Sequence, residues 1–401
     1  MTEYDPAHAD ATTEPPAWLL RLLAACCGII VANLYYAQPL AGPIAAAIGL
    51  PPHLSGLVVT LTQIGYGIGL LLIVPLADLA ENRLVSAASL VLTALALALV
   101  AAATGATLFL AAAFIVGLGS VVVQILVPYA AHLSPQSSRG RNVGRVMSGL
   151  LTGIMLARPV ASFVTEAFGW RTVYVASSVA MALLAAMLMR VLPPRRPQPG
   201  GSYFGLLLSM ADLVRATPVL RRRAMYQACL FGVFSLFWTV APLLLAQKYH
   251  FSQADIGLFA LVGAAGAIAA PIAGRHADRG FSRPLTLAAI LIVGGAFLLS
   301  LAQSGGWAGV GLLGVTAIAI DIGTTVSLVT GQRAIFVLGA EVRSRLNGLF
   351  IAAFFVGGAV GSAVGVMAYA QGGWSLAAGL SAAATAATLL YHLGEYGRRT
   401  A

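Results

Sequence analysis

Two charged side chains lie inside apolar runs, where a charge is costly. Asp321 is near the middle of the run 311–330, and Arg158 lies in the run 149–163. A charged side chain at the centre of a bilayer costs about 2.5–3.5 kcal/mol on insertion scales, so such a residue is a candidate for function by default. A carboxyl group that moves between an apolar and a cationic environment can load and release a proton. We therefore predict that Asp321 carries a proton and that Arg158 is its positive partner or binds solute. The alternative is that Asp321 lies at the end of a helix or is permanently neutral.

Other polar and aromatic side chains fall at a similar depth. At about 1.5 Å per helical residue, Asp321, Asn33 and Tyr66 are each roughly 18 Å from the cytoplasmic ends of their helices. Arg158 is roughly 20 Å deep and Gln124 about 12 Å, so one central layer and a shared cavity are expected. Packing or interhelical hydrogen bonding alone would also explain several of these residues. The solute-binding candidates are Asn33, Tyr36, Gln38, Gln63, Tyr66, Gln124, Arg158, Trp238, Asp321 and Phe354.

The composition indicates a membrane protein that spans the bilayer many times. Of 401 residues, 59% are hydrophobic and 9% charged, and the mean hydropathy is +0.89. A soluble domain has about 25% charged residues. The net charge of +10 would otherwise suggest a nucleic-acid partner. Here the tendency of basic residues to mark cytoplasmic loops is a sufficient cause, so we expect the lipid bilayer and no nucleic acid as the partner.

Twelve apolar runs are long enough to cross a bilayer, which takes roughly 20 residues. With the N-terminus in the cytoplasm, 20 of the 23 basic residues fall on the cytoplasmic side, so both termini are predicted there. Glu166 is then expected at the outer end of the fifth span, close to Arg171. The runs are 18–47, 55–77, 84–103, 107–131, 146–167, 172–192, 224–247, 256–274, 284–303, 307–330, 348–370 and 375–393.

The chain divides into two similar halves. A Pro-Gly-rich linker at 193–223, which includes apolar positions suited to a surface helix, separates the bundles 18–192 and 224–393. Tails at 1–17, expected to be disordered, and 394–401 complete the chain. Segment 274–279 matches 74–79 at an offset of 200, and 343–347 matches 139–142 at an offset of 204. Such parallel repeats bind solute near the midplane between the halves. At the second offset, the counterpart of Arg158 is the uncharged Ser362.

Four short segments carry a resemblance to a known family: 33–40 (NLYYAQPL), 157–159 (ARP), 343–347 (RSRLN) and 357–362 (GGAVGS). On these segments the chain resembles the major facilitator superfamily over essentially its whole length. Within that family it is similar to a bacterial drug:proton antiporter-like subgroup grouped with drug and sugar efflux proteins. The resemblance implies an all-α fold of twelve transmembrane helices in two pseudo-symmetric halves. It also implies export of a small organic solute in exchange for protons by alternating access, in the bacterial inner membrane.

The chain departs from the family pattern in the two motifs that are associated with proton antiport. Ala113 occupies the place of the family's intramembrane arginine in the fourth span, and Ala157-Arg158 replaces its Gly-Pro in the fifth. The expected site of coupling is therefore Asp321 with Arg158. Charged residues in the two repeated cytoplasmic loops are predicted to act in gating, or are ordinary loop charges. The gating candidates are Asp78, Arg83, Asp278, Arg279 and Arg283.

Two other classes of function stay open at this stage. The sequence does not fix direction, so an importer or an uncoupled facilitator is the alternative within transport. A non-transporting membrane sensor or scaffold is the alternative from another class. An enzyme is not expected, because the motifs that would hold a catalytic metal or cradle a phosphate are absent from the sequence. We expect a monomer that binds a small solute and protons, with no cofactor and no metal.

Overall fold

The computed structural model describes residues 14–194, 202–302, 305–339 and 342–397. This part of the chain contains fifteen α-helices, short 3-10 turns and no strand. Most of the predicted N-terminal tail, the middle of the linker and the last four residues lie outside the described ranges. The helices are α1 Ala17–Ala32, α2 Ala37–Ala47, α3 Leu57–Leu76, α4 Asn82–Ala102, α5 Ala106–Gly119, α6 Val123–His132, α7 Arg139–Phe168, α8 Trp170–Val191, α9 Tyr203–Ala216, α10 Pro218–Tyr249, α11 Gln253–Ala260, α12 Ala265–Asp278, α13 Ser282–Ser300, α14 Gly306–Phe336 and α15 Arg343–Gly397.

The predicted count of twelve membrane-spanning helices is not confirmed. Within the described ranges, nine helices are long and apolar enough to cross a membrane, or ten when the bent pair α1 and α2 is one span. Two features lower the count. The eighth predicted span is interrupted by a 3-10 turn at Leu261–Ala264, which leaves the shorter helices α11 and α12. The last two predicted spans lie within α15, where Gly372 and Gly373 have non-helical backbone angles.

The first predicted span is bent by 41° between α1 and α2. Proline explains the position of the bend, because its ring clashes with the carbonyl four residues earlier and it lacks an N–H to donate. Pro39 lies in the first turn of α2, so the affected carbonyl is that of Tyr35. The residues of the bend form turns with shorter-range backbone bonds, such as that from Gln38 N to Tyr35 O at 3.2 Å. The bend places Tyr35 and Gln38 in the interior.

Helix α10 is the buried centre of the second half. It packs closely against α15 through glycines, since a Cβ on Gly357 or Gly361 would clash with the backbone at Ala228 or Gly232. The two glycines therefore allow α10 and α15 to pack closely.

The two halves meet at several contacts. Helix α3 packs along α15, α7 packs against α11, and α2 packs against α10. The first two of these contacts each include a glycine: a Cβ on Gly56 would clash with the Ser362 carbonyl, and one on Gly257 would lie 3.0 Å from Ser162 Cβ.

The linker helix α9 also touches both halves. The Tyr203 hydroxyl donates to the Leu72 carbonyl at 2.8 Å, and Arg345 donates to the Ser209 hydroxyl at 2.9 Å. A helix is therefore present in the segment where a surface helix was expected, and it connects α3 of the first half with α15 of the second.

Candidate functional site

Arg158 lies on α7 at the point where the first half meets α10. It is 3% exposed, and its Nε donates a hydrogen bond to Gln38 Oε1 at 2.6 Å. Gln38 itself is fully buried in the first turn of α2. The bend after α1 therefore supplies the direct hydrogen-bond partner of the guanidinium.

Three aromatic rings surround the Arg158 guanidinium. Its Cζ is 4.4 Å from the centre of the Trp238 ring and 5.2 Å from the ring centres of both Tyr35 and Phe234. A desolvated cation–π contact is worth up to about 2 kcal/mol. Burying an ion costs several kcal/mol, so the rings offset only part of the cost of burying Arg158.

Asp321 lies on α14 and contacts the N–H edge of Trp238, whose ring face the guanidinium contacts. It is 7% exposed, and its Oδ2 accepts a hydrogen bond from Trp238 Nε1 at 3.0 Å. Among the described residues, no carboxylate oxygen lies within 4.0 Å of an Arg158 nitrogen. The two charges expected to pair directly are instead joined through one indole, which faces the cation with its ring and the carboxylate with its N–H.

The break between α11 and α12 makes room for this arrangement. A Cβ on Gly263, in the 3-10 turn, would lie 2.7 Å from Trp238 Cζ2 and 3.5 Å from Asp321 Oδ1. A Cβ on Gly266 would lie 3.1 Å from Asp321 Cβ. A 3-10 segment inside a helix often marks a hinge. The eighth predicted span is therefore interrupted where it passes the carboxyl group.

Two buried donors at this site have no hydrogen-bond partner among the described residues. They are Arg158 Nη2 and Gln38 Nε2, and they belong to the two side chains that bond each other. Buried polar atoms in folded proteins are nearly always paired, so an unpaired donor needs an explanation.

Four other predicted site residues form a second cluster between the halves. Gln124 donates to the Tyr66 hydroxyl at 3.2 Å, and Gln63 donates to Ser235 on α10 at 2.9 Å. Phe354 stacks on Phe231, with ring centres 3.6 Å apart. Phe231 in turn stacks on Phe234 at 5.1 Å, so aromatic rings on one face of α10 connect this cluster to Arg158.

Asn33 and Tyr36 have their described partners elsewhere. Asn33 accepts a hydrogen bond from Ser177 at 2.5 Å and donates to Met181 Sδ at 3.5 Å, which ties α1 to α8 inside the first half. Tyr36 lines a groove between α1 and α7. These contacts favour interhelical packing for both residues.

The gating candidates lie in or beside the turns that join α3 to α4 and α12 to α13. Asp278 pairs with Arg333 at 2.9 Å, and Arg83 pairs with Glu81 at 2.9 Å, so each of these two ion pairs joins residues of one half. The gating role of Asp78, Arg279 and Arg283, like that of the paired residues, remains a prediction.

Sequence reasoning missed two features of the site, the ring of Phe234 and the glycines beside Trp238 and Asp321. Phe234 could have been found, because it lies four residues before Trp238 and so shares its helix face. The role of the Gly263 and Gly266 region could not, since glycines are frequent throughout the chain.

The placement of Glu166 beside Arg171 was incomplete as well. Its Oε2 accepts hydrogen bonds from the backbone N–H groups of Gln253 and Ala254 at 2.9 and 3.3 Å, whereas Arg171 donates to the Ala103 carbonyl at 3.1 Å. A carboxylate of the first half therefore caps the N-terminus of α11 in the second, where unpaired N–H groups and the helix dipole favour an anion.

A family model described as Major Facilitator Superfamily matches residues 22–339 and again residues 227–399. The chain belongs to the major facilitator superfamily. The uncharacterized transporter YgaY of Escherichia coli O157:H7 is 38% identical over 359 residues, 89% of this chain and 90% of YgaY. The probable transporter SCO4007 of Streptomyces coelicolor is 34% identical over 357 residues, 88% of this chain and 82% of that protein.

Solved structures of other transporters have a similar fold. The crystal structure of the nucleoside transporter NupG gives a TM-score of 0.72 at 15% identity and covers 94% of this chain and 99% of that one. The protein is therefore a multi-pass membrane transporter of the major facilitator type, with its buried charged site where two halves meet.

Proposed function

We propose that this transporter is proton-coupled and moves a small organic solute by alternating access, with Asp321 as the proton carrier. The observation that carries the proposal is the single indole of Trp238, which contacts Arg158 with its face and Asp321 with its N–H. Arg158 belongs to the first half, whereas Trp238 and Asp321 belong to the second. Movement between the halves would therefore change the electrostatic environment of Asp321.

Two directions of transport are compatible with this unit. Export in exchange for protons, the direction expected from the sequence, requires that solute and proton exclude one another at the site. A relative from Mannheimia succiniciproducens, 26% identical over 106 residues, is named a probable sugar efflux transporter, which supports export. Cotransport, the importer alternative, requires that solute and proton bind together. The charge of the solute decides between them.

Substitution of Asp321 by asparagine tests the proposal. Purified protein is reconstituted in liposomes with a mixture of small organic metabolites, and the vesicle contents are measured by mass spectrometry with and without a pH gradient. We expect wild-type protein to move at least one solute in a gradient-dependent way. Asp321→Asn should lose this dependence and keep solute exchange, because the amide cannot titrate.

The matched control is Asp212→Asn on α9, where an exposed carboxylate 3.7 Å from Arg215 is neutralised far from the site. It should behave as wild type. Full gradient-driven transport by Asp321→Asn would refute Asp321 as the carrier. No solute movement by correctly folded wild-type protein would favour the sensor or scaffold alternative.

A further inference from the structure

The two unpartnered donors of the site belong to two side chains that are hydrogen-bonded to each other. In a guanidinium, the Nε–H and one terminal N–H point along the same edge, the fork that binds a carboxylate with two parallel bonds. Gln38 Oε1 occupies the Nε position of the Arg158 fork, and Nη2 has no partner among the described residues. Gln38 Nε2, which also has no partner among the described residues, belongs to the same amide, so this one hydrogen-bonded pair of side chains carries two unpartnered N–H donors.

The orientation of the Gln38 amide is fixed by chemistry. Arg158 Nε carries a hydrogen and has no lone pair to accept with, so only the amide oxygen can face it at 2.6 Å. The amide nitrogen must then point elsewhere, and it is a donor. Both Gln38 and Arg158 are more than nine-tenths buried, so bulk water does not satisfy these groups.

The charge of the site is also incomplete. The nearest described carboxylate, that of Asp321, is more than 4.0 Å from the Arg158 nitrogens and is already bonded to the indole of Trp238. Buried cations are paired with an anion or with several acceptors in most proteins. Arg158 contacts one neutral hydrogen-bond acceptor and three aromatic rings. No described residue places an anion in contact with it.

We propose that the solute is an organic monocarboxylate with a flat apolar body, its carboxylate held by Arg158 Nη2 and Gln38 Nε2. This inference rests on the proposed function and names the solute class for the same site. The body would lie among the rings of Tyr35, Phe234 and Trp238, which favour planar apolar surfaces.

The proposed solute sets the sign of the coupling. The titratable groups that act on Asp321 are Arg158 on α7 and Tyr35 in the bend, while the break between α11 and α12 presents glycines. A carboxylate on Arg158 neutralises the positive charge there, so protonation of Asp321 becomes more favourable. Solute and proton then bind together and move in the same direction, the cotransport alternative.

Binding of benzoate, phenylacetate and indole-3-acetate, each compared with its uncharged amide, tests the solute class. Purified full-length protein in nanodiscs is titrated by calorimetry without a pH gradient. We expect at least one carboxylate to bind and its amide to bind at least tenfold more weakly, because the amide loses the charge-assisted bonds. Failure of all three carboxylates to bind, or equal binding of acid and amide, would overturn the proposal.

Arg158→Ala should abolish carboxylate binding, but this result is informative only if the variant folds. Two substitutions at Gln38 test the same site and keep the buried guanidinium. Gln38→Glu puts a carboxylate beside Arg158 in the same shape; it should raise the melting temperature of the empty protein and abolish carboxylate binding. Gln38→Leu removes the second donor but also frees Arg158 Nε–H for the carboxylate, so it should impair carboxylate binding much less than Gln38→Glu does. Unchanged carboxylate affinity in Gln38→Glu would contradict the assigned site.

Proton uptake on binding distinguishes this inference from the proposed function. In weakly buffered solution, adding the bound carboxylate to wild-type protein should remove protons from the medium, and Asp321→Asn should bind it without that uptake. Proton release instead of uptake would contradict cotransport. Carboxylate binding with normal gradient-driven transport by Asp321→Asn would refute Asp321 as the carrier and leave the solute site intact.

Discussion

The contacts between the two halves include one that is neutral and one that contains the buried Arg158. In the neutral contact, between α3 and α15, the Thr60 hydroxyl lies 2.8 Å from the Ser362 hydroxyl and donates to the Ala359 carbonyl at 3.1 Å. Gly56 lets the backbones approach closely. In the charged contact, Arg158 on α7 donates a hydrogen bond to Gln38 and contacts the Trp238 ring on α10. Asp321 accepts a hydrogen bond from the N–H of the same ring.

The comparison is informative because Ser362 and Arg158 occupy matching positions of the repeat. The Ser362 hydroxyl is hydrogen-bonded to the Thr60 hydroxyl across the contact and to the Ala359 carbonyl of its own helix. The arginine retains an unpaired N–H and no direct counter-ion among the described residues. A hydroxyl pair is sufficient to join two helices, so the expensive charge at the other contact serves something besides packing.

The largest effect is expected at the indole of the charged contact. Trp238→Ala should lower the free energy of unfolding by about 3–5 kcal/mol, as expected for a large buried ring, and should remove gradient-dependent transport. Trp374→Ala is the control, because Trp374 is also buried in the second half and its N–H bonds the neutral Ser300 carbonyl at 3.2 Å. The control should lose similar stability and keep the gradient dependence of whatever transport remains. Loss of coupling in both variants would mean that Trp238 acts only through packing.

The second prediction concerns close approach at the neutral contact. Gly56→Ala should destabilise the protein by about 1–3 kcal/mol, because the added methyl group meets the Ser362 carbonyl. Gly67→Ala on the same helix is the control, since its Cβ would lie an ordinary 3.6 Å from the Ala352 carbonyl. Thermal unfolding in detergent measures both. Equal stability of the two variants would show that α3 and α15 can separate without cost.

The third prediction tests whether the charges communicate through Trp238. Arg158→Ala and Asp321→Ala should each reduce stability, and the double variant should lose less than the sum, with a coupling energy of about 0.5–3 kcal/mol. Removing one charge leaves the other uncompensated, which is the physical reason. The same cycle in Trp238→Phe, which lacks the indole N–H, should give a smaller coupling energy. If the stability losses of the single variants add up strictly in both the wild-type and the Trp238→Phe protein, Arg158 and Asp321 do not interact.

The smallest effect is expected from the hydroxyl pair. Thr60→Val with Ser362→Ala removes both partners and should change the free energy of unfolding by about 1 kcal/mol or less, because no buried group is stranded. Gradient-driven transport should persist. A loss of transport comparable to that of Trp238→Ala would place the neutral contact in the mechanism.

Much of the fold followed from the sequence. Apolar length and the placement of basic residues indicated a multi-pass membrane protein, and motif segments indicated the superfamily. The count of twelve spans was not confirmed. The break before α12 arises from local backbone geometry that hydropathy does not record, whereas the non-helical residues Gly372 and Gly373 lie between the last two predicted spans. Pro39 in the bend was visible in the sequence, but its effect on the position of Gln38 was not.

The sequence by itself determined which residues are expensive in a membrane. Asp321 and Arg158 stood out because a buried charge has a cost that depends only on residue type and depth. Only the tertiary structure decided how the two are joined, since Trp238 reaches both from a third helix. It also decided that Asn33 ties α1 to α8, and that Gln38 and Arg158 each keep a free donor. Side-chain partners depend on crossing distances between helices far apart in the chain, which no local pattern encodes.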